Sequence, residues 1–277
     1  MEKNLDFVGI AGDWHGNFGW ARLALKNFQL AGVTEVFHVG DFGVWTGNSG
    51  QKYLRKVNKY LALYGITLYV TLGNHEDYVQ VSTFTPHPKM EGFVYNPEFP
   101  NILFATRGAR WNLNGVSFVS LGGANSIDYT GRTEWINWWK GERITLADIY
   151  RTVEGGHAEI MLTHDCPAGV NIFGSHRDGG KNTLWSPQEL AYAQESRVAL
   201  RQAVDGVKPE ILFHGHYHME LDLTSVLNDG VEDYTLRSVG LDMDASTRNM
   251  GILTLPDKSF EWLPLTWAAR EEVLKGN

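Results

Sequence analysis

The N-terminal part of the chain alternates strand-like and helix-like segments, and this order restricts the fold more than any other feature. Apolar, strand-like runs read LDFVGIA, VTEVFHVGD and ITLYVTLGNHE. Between them, FGWARLALKNFQLAG and SGQKYLRKVNKYLALYG have helical spacing, and each ends at a glycine. Strands that alternate with helices pair in parallel and are covered on both faces. The sequence therefore predicts an α/β fold with a mostly parallel sheet.

The rest of the chain adds antiparallel pairing to this pattern. The segment NILFATRGARWNLNGVSFVSLGG indicates strands joined at the turn NLNG. A long helix, SPQELAYAQESRVALRQAVD with Pro187 near its first turn, lies between the strands AEIMLTHD and PEILFHGHYH. Two further hairpins, which turn at NDG and PDKS, are predicted towards the C-terminal end. The 277 residues contain no repeat and no linker-like tract, and they fit one large domain or two small ones.

Composition and charge narrow the class of protein. Apolar residues make up 43% and charged residues 20% of the chain, which is typical of a folded, soluble protein. No apolar run reaches the length of a membrane span, and the N-terminus lacks the form of a signal peptide. The single cysteine, Cys166, cannot form an internal disulfide, so we expect a cytoplasmic protein without membrane contacts. With a net charge of −8, an extended surface for duplex nucleic acid is not expected.

Apolar strands of this chain end in polar residues that are able to bind metal ions. The strand ends read GDWHGN, GDFG, GNHE, THDCP and GHYH. The carboxyl ends of parallel strands form the ligand crevice of an α/β sheet, so we expect these side chains to converge. They comprise two carboxylates, one amide and five imidazoles. The residues are Asp13, His15, Asp41, Asn74, His75, His164, His216 and His218.

The donor types predict the kind of metal centre. A mixed set of nitrogen and oxygen donors suits Mn, Fe, Zn or Ni better than Ca or Mg. Eight such residues exceed what one ion needs, and they suit two ions that share a carboxylate. Any one histidine alone is more often a structural side chain, but their joint position at strand ends favours a metal site.

In the order of its motifs, the chain resembles the calcineurin-like metallophosphoesterase superfamily from the first strand end to the last. The resemblance implies a single domain over residues 1–277 with a four-layer αββα sandwich, in which two mixed β-sheets are flanked by helices. It also implies two divalent transition metal ions, with manganese as the first expectation and Fe, Zn or Ni as alternatives. In that scheme His75 is a proton donor or transition-state stabiliser and not a ligand. The implied ligands are Asp13, His15 and His218 for one ion, Asn74, His164 and His216 for the other, and Asp41 as the bridge.

The segment LGGANSIDYTGRTEWINWWKGE offers candidates for contact with a substrate. Asn125, Asp128 and Arg132 can reach a ligand from such a loop, and Arg132 can equally form a structural salt bridge. His176, in the glycine-rich stretch FGSHRDGG, is a further candidate on a loop that can overhang the site.

Three tryptophans in the same segment allow two interpretations. Trp135, Trp138 and Trp139 have helical spacing, which usually indicates packing. The alternative is an aromatic wall that stacks a nucleobase. Two other side chains, His38 and His214, lie inside strands and are predicted to be buried and structural.

The substrate class remains open between several esters. Protein phosphatases of the superfamily carry an arginine in the string GDxVDRG, whereas this chain reads GDFGVWTG there, although it keeps GNHE. Few basic residues lie near the motifs, which favours a phosphodiester of a nucleotide or nucleic-acid end. The alternatives are a phosphomonoesterase or protein phosphatase of the same fold, or a non-catalytic metal-binding scaffold. The sequence predicts no oligomeric state.

Overall fold

The computed structural model describes residues 5–172 and 185–275. Among these residues, the helices are α1 (Phe18–Leu30), α2 (Gly47–Tyr64), α3 (Tyr78–Ser82), α4 (Leu146–Glu154), α5 (Pro187–Val207) and α6 (Trp267–Lys275). The strands are β1 (Phe7–Ala11), β2 (Glu35–His38), β3 (Thr67–Thr71), β4 (Thr85–Pro86), β5 (Phe93–Tyr95), β6 (Ile102–Ala105), β7 (Arg110–Leu113), β8 (Val116–Leu121), β9 (Ile160–Thr163), β10 (Ile211–His214), β11 (Leu221–Asn228), β12 (Asp233–Gly240), β13 (Met250–Thr254) and β14 (Phe260–Trp262).

The strands form two mixed sheets. The first has the order β14-β13-β1-β2-β3-β6-β5-β4, and the second has the order β11-β12-β10-β9-β8-β7. In the centre of each sheet the strands run parallel, whereas strands towards both edges run antiparallel. The parallel centre follows from the alternation of strand and helix in the sequence, and the predicted hairpins form the antiparallel pairs β7–β8, β11–β12 and β13–β14.

An apolar core lies between the two sheets. Val8, Ile10 and Phe37 of the first sheet pack against Phe118 and Ile160 of the second, and all five side chains are buried. The rings of Phe37 and Phe118 stack with centroids 5.5 Å apart. Burial of each such side chain stabilises the fold by about 1.5–3 kcal/mol, so this layer holds the sheets, and the loops at their ends, in a fixed relation.

Helices cover the outer face of each sheet. α1 and α2 pack on the first sheet, and α4 and α5 pack on the second. The predicted αββα sandwich is confirmed. The helical residues buried in these outer layers include Ala24, Leu25, Leu54 and Leu61 on one side and Ile149, Leu200 and Val204 on the other.

Local signals set the helix ends. Ser186 caps α5, and its side chain accepts from the backbone N–H of Glu189. The Glu189 carboxylate in turn accepts from the backbone N–H of Ser186, and Pro187 occupies the first turn. α2 ends at Gly65, which adopts a left-handed conformation with φ 68°. Both helices were predicted, α5 with Pro187 near its first turn and α2 with a glycine at its end. Within the described part of the chain, no helix combines the length and the apolar character needed to cross a membrane.

The tryptophan-rich segment does not form the helix that its spacing suggests. It contains two short 3₁₀ turns, Tyr129–Gly131 and Lys140–Glu142, and an isolated bridge between Glu134 and Trp138. Side chains bind the backbone locally, as where the amide oxygen of Asn137 accepts from the backbone of Thr133, and such bonds compete with helix formation. The packing interpretation holds for the buried Trp139, whereas Trp135 is 64% exposed.

Candidate functional site

The candidate ligands lie on the turns that follow β1, β2, β3, β9 and β10. Several of them have a left-handed backbone, namely His15 with φ 46°, Asp41 with φ 52°, His216 with φ 69° and His218 with φ 51°. Such angles in residues other than glycine cost about 1–3 kcal/mol each and cluster at functional sites. The ligand residues themselves, and not only neighbouring glycines such as Gly40 and Gly43, therefore adopt unusual backbone angles.

Two glycines allow the donor atoms to approach the backbone. A Cβ atom on Gly73 would collide with Asp41 Oδ1 and would lie 2.9 Å from His164 Nε2. A Cβ atom on Gly215 would collide with Asp13 Oδ1. Glycine is therefore required at both positions by the donor atoms that face it.

One set of donors consists of Asp13, His15, Asp41 and His218. Each offers an atom within 4.8 Å of the others. His218 Nε2 lies 3.3 Å from Asp13 Oδ2, and His15 Nε2 lies 3.6 Å from Asp41 Oδ2. Asp13 is fully buried, and among the described residues its Oδ1 has no hydrogen-bond partner. A buried, unpaired carboxylate oxygen among imidazoles fits a cation at this point.

A second set of donors lies on the other side of Asp41. Asp41 Oδ1 is 3.3 Å from His164 Nε2, which is 2.9 Å from Asn74 Oδ1. The same Asn74 oxygen is 3.0 Å from His216 Nδ1. The two carboxylate oxygens of Asp41 thus face different sets. The structure brings together all seven predicted ligands.

Backbone and carboxylate partners orient the imidazoles. His164 Nδ1 donates to the carbonyl of Val39 at 2.8 Å, which turns Nε2 towards the donor set. His15 Nδ1 lies 3.1 Å from Asp244 Oδ1, and Asn17 donates to the other oxygen of Asp244 at 2.6 Å. Asp244 was not predicted from the sequence, because this residue follows β12, far from the five motifs, and no local pattern marks it.

Glu76 ties the turns around the site together, a role that the sequence analysis also missed. Its carboxylate accepts from the backbone N–H groups of Gly73 at 2.5 Å, Gly43 at 3.0 Å and Asp41 at 3.2 Å. Burial and the nearby Asp41 carboxylate raise the pKa of Glu76 to about 7, and the N–H donors oppose this rise. The sequence feature that could have indicated this role is the acidic residue of GNHE, which follows a glycine-containing strand end.

His75 lies at the edge of the site, beside Arg132. Arg132 Nη1 is 2.9 Å from His75 Nδ1 and Nη2 is 3.2 Å from Nε2, so the planar guanidinium lies alongside the ring. The Asp128 carboxylate accepts two bonds from Arg132, at 2.6 and 2.7 Å. Burial and the Arg132 charge lower the pKa of His75, whereas Asp41 opposes this shift. Of the two roles considered for Arg132, a salt bridge is therefore present, and it adjoins the site.

The other candidate substrate contacts differ in placement. Asn125 is buried and donates to the carbonyl of Tyr192 at 2.7 Å. This burial argues against contact between Asn125 and a substrate, and such contact stays a prediction. His176 lies outside the described residues. His38 and His214, predicted to be buried and structural, are both buried.

The part of the chain that carries the candidate ligands also matches a protein-family profile. The sequence profile described as calcineurin-like phosphoesterase matches residues 8–220, which include every candidate ligand from Asp13 to His218. The chain belongs to the calcineurin-like phosphoesterase family. Members of the family hydrolyse phosphoesters with the help of metal ions. None of the curated proteins matches the chain significantly.

The chain of this calcineurin-like phosphoesterase is similar to several solved structures. Protein TT1561 of Thermus thermophilus is 11% identical over 95% of this chain and 100% of its own, with a TM-score of 0.52. A novel archaeal phosphodiesterase is 11% identical over 92% and 97% of the two chains, with a TM-score of 0.40. Purple acid phosphatase from yellow lupin seeds is 14% identical over 85% and 43%, with a TM-score of 0.43. The likeness to TT1561 concerns the fold alone.

The spacing of the donors fits bound metal ions. Atoms that bind the same ion at about 2.0–2.2 Å and nearly right angles lie about 3 Å apart. The contacts among Asp41, Asn74, His164 and His216, at 2.9–3.3 Å, have this spacing. The residues present therefore fit the metal dependence of the family.

Metal binding by this calcineurin-like phosphoesterase is expected to release protons. Burial alone would lower the pKa of His15 and of His164, but neighbouring carboxylates, Asp41 foremost, raise these pKa values to about 9 and about 10. Burial lowers the pKa of His216 to about 4, so that ring is already neutral. Saturation with Mn²⁺ at pH 7.5 should release about two protons per chain, one from each charged imidazole. Calorimetry in two buffers with different ionisation enthalpies measures this number.

The same shifts predict how the stability of the metal-free protein depends on pH. Both folded-state pKa values lie above the unfolded value of 6.5, so the stabilisation is complete below about pH 6.5 and is lost as the pH rises through 9 and 10. The melting temperature of the chelator-treated protein should fall between pH 7 and pH 10. Uptake of metal without proton release, together with a flat profile, would contradict the assigned protonation states.

Proposed function

We propose that this chain is a dinuclear metal-dependent phosphodiesterase that acts on a nucleotide or a nucleic-acid end. The observation that carries the proposal is the position of Asp41, whose two oxygens face two separate donor sets. One carboxylate between two such sets is suited to bridging two ions. A cytoplasmic location is part of the proposal and rests on the single cysteine, which forms no internal disulfide.

Each donor set is assigned to one ion. Two ions, manganese first and Fe, Zn or Ni as alternatives, would lower the pKa of a bound water and neutralise charge that develops on the phosphoryl oxygens. Three side chains besides Asp41 would hold each ion. These are Asp13, His15 and His218 for the first ion, and Asn74, His164 and His216 for the second.

His75 and Arg132 are assigned to the substrate. His75 Nε2 lies 3.8 Å from Asp41 Oδ2, at the edge of the donor sets, where it can meet the leaving group. The guanidinium of Arg132 can donate to a phosphate oxygen that enters beside His75. Burial and, to a lesser extent, the Arg132 charge lower the pKa of His75. A bound phosphate would offset that charge and would favour the protonated ring that a leaving alkoxide needs.

The preference for a diester rests on charge. A phosphodiester carries one negative charge, whereas a monoester carries nearly two at neutral pH. Among the described residues, Arg132 supplies one positive charge beside His75. The acidic chain, with a net charge of −8, also disfavours long nucleic acid as the main substrate. Hydrolysis of a monoester or a phosphoprotein by the same site, and metal binding without catalysis, are the alternatives.

The test compares two chromogenic esters. Protein loaded with Mn²⁺ is assayed on bis-p-nitrophenyl phosphate and on p-nitrophenyl phosphate, with a chelator-treated sample as the control. We expect chelator-sensitive turnover with higher kcat/KM on the diester, followed by activity on nucleotide diesters. Higher kcat/KM on the monoester would replace the proposal with a phosphatase, and bound metal without turnover on either ester would favour the scaffold.

A further inference from the structure

The amide of Asn74 can bind a metal ion in one of its two orientations only. Its oxygen is a ligand, whereas its NH₂ group is a pair of donors that repels a cation. In the structure Oδ1 faces His164 and His216, and Nδ2 donates to Ser126 Oγ at 2.9 Å. Rotation about the terminal side-chain bond of Asn74 would exchange these two groups.

The hydroxyl of Ser126 opposes this rotation of the amide. This hydroxyl donates to Glu142 Oε2 at 2.5 Å, a distance typical of an O–H group bound to an ionised carboxylate. An ionised carboxylate accepts and cannot donate. Because the single proton of Ser126 is directed at Glu142, only lone pairs of its oxygen remain for Asn74. The NH₂ group of Asn74 must therefore face Ser126.

The other oxygen of Glu142 is held by donors as well. Oε1 accepts from the backbone N–H of Ser126 at 3.0 Å, from Trp138 Nε1 at 2.8 Å and from the hydroxyl of Tyr192 at 2.8 Å. The first two groups can only donate. Glu142 is fully buried, and burial raises its pKa while these hydrogen bonds oppose the rise. Oε1 is thus fixed as an acceptor, and its donors favour the ionised carboxylate that accepts from Ser126 at Oε2.

We propose that Glu142 is a positioning residue that acts through Ser126 to keep the amide oxygen of Asn74 directed at the second metal ion. The inference rests on the proposed function, since it takes Asn74 as a ligand. It assigns to the tryptophan-rich segment a part in assembling the metal centre, because Ser126, Trp138 and Glu142 all belong to it.

The substitution Glu142→Gln tests the direction of these hydrogen bonds. The two N–H donors at Oε1 require the oxygen of the glutamine amide there, so its NH₂ group faces Ser126. Ser126 then accepts from Gln and donates towards Asn74, which favours the wrong orientation of that amide. We expect second-ion affinity to fall about 10–100-fold with the first ion little affected. Calorimetric titration with Mn²⁺ and the visible absorption of a Co²⁺-loaded sample measure this without an activity assay.

A second substitution should reverse the effect. In the double variant Glu142→Gln/Asn74→Asp, the glutamine donates to Ser126, and Ser126 donates to a carboxylate whose two oxygens are equivalent. The total charge of the site is the same as in the natural protein. We expect the double variant to bind the second ion more tightly than either single variant. Simple loss of packing at Glu142 predicts no such recovery.

Tyr192→Phe is the matched control. It removes a hydrogen bond to the same carboxylate but leaves the bonds between Glu142, Ser126 and Asn74 in place. Because two N–H donors still hold Oε1 as an acceptor, we expect second-ion affinity within about threefold of the natural protein. If Glu142→Gln does not fold by near-ultraviolet circular dichroism, Ser126→Ala takes its place. It removes the acceptor of the Asn74 amide and should also weaken the second ion.

The outcomes separate this inference from the proposed function. Binding of only one ion by the natural protein would refute the dinuclear proposal and, with it, the inference. Binding of two ions by the natural protein and equally tight binding of both by Glu142→Gln would overturn the inference alone. Failure of the double variant to recover would likewise overturn it.

Discussion

Replacement of Asp41 by asparagine should remove most of the metal and nearly all activity. Both carboxylate oxygens of Asp41 face donor sets, and an amide offers only one oxygen and turns an NH₂ group towards the other set. The stabilisation that bound ions provide is worth several kcal/mol, so kcat/KM should fall at least about 10³-fold. Metal analysis by mass spectrometry should find at most one ion per chain.

Asparagine is the informative substitution because of the backbone at this position. Asp41 has φ 52°, a conformation that asparagine tolerates well and alanine does not. Loss of metal in Asp41→Asn is therefore not attributable to backbone strain. Asp222→Asn is the matched control, since Asp222 pairs with Arg237 in a partly exposed salt bridge and contacts no candidate ligand. Full metal content in Asp41→Asn would refute the bridging role.

Replacement of His75 by alanine should leave metal binding intact and reduce the rate. The ring of His75 lies beside Arg132 and 3.8 Å from Asp41, outside the contacts that join the two donor sets. Loss of a positioned proton donor usually lowers the rate about 10²–10⁴-fold. The expected result is a lower kcat on bis-p-nitrophenyl phosphate with an unchanged metal content.

A leaving-group series sharpens this test. If His75 donates a proton to the departing oxygen, the defect of His75→Ala should grow with the basicity of the leaving group and should be smallest for nitrophenolate. His87→Ala is the control, because His87 contacts Tyr95 and the backbone of Lys89 on a loop outside the motifs. An unchanged rate in His75→Ala would show the assigned role to be wrong, and loss of metal would make His75 part of the metal centre.

Much of the fold was predictable because its signals are local. The alternation of strands and helices specified the parallel centre, and local signals such as Pro187 and Gly65 specified helix ends. The prediction was misleading at Trp135, where tryptophan spacing suggested a helix face. There, short-range bonds such as those of Arg132 with Asp128 and of Asn137 with Thr133 stabilise an irregular backbone instead. Spacing alone does not report such competition.

The candidate ligands were predictable for a topological reason, and the groups that orient them were not. Metal-binding residues stand at strand ends, and parallel pairing brings strand ends together whatever the details of packing. Asp244 and Glu142 do not stand at the end of a predicted parallel strand. Asp244 acts because a distant loop packs beside His15, and Glu142 acts because an irregular segment folds back onto its own Ser126.

The sequence by itself determined the family and the seven candidate ligands, because both depend on residue type and on position relative to a strand end, and the sandwich architecture was expected from the resemblance to that family. Only the tertiary structure decided that Asp41 faces both donor sets, that Arg132 lies against His75, and that Glu142 directs the amide of Asn74 through Ser126. These depend on which side chains meet across elements remote in the chain, and on the direction in which each hydrogen bond donates. Such information arises when the layers pack, since neither distance nor donor direction is encoded in a local pattern.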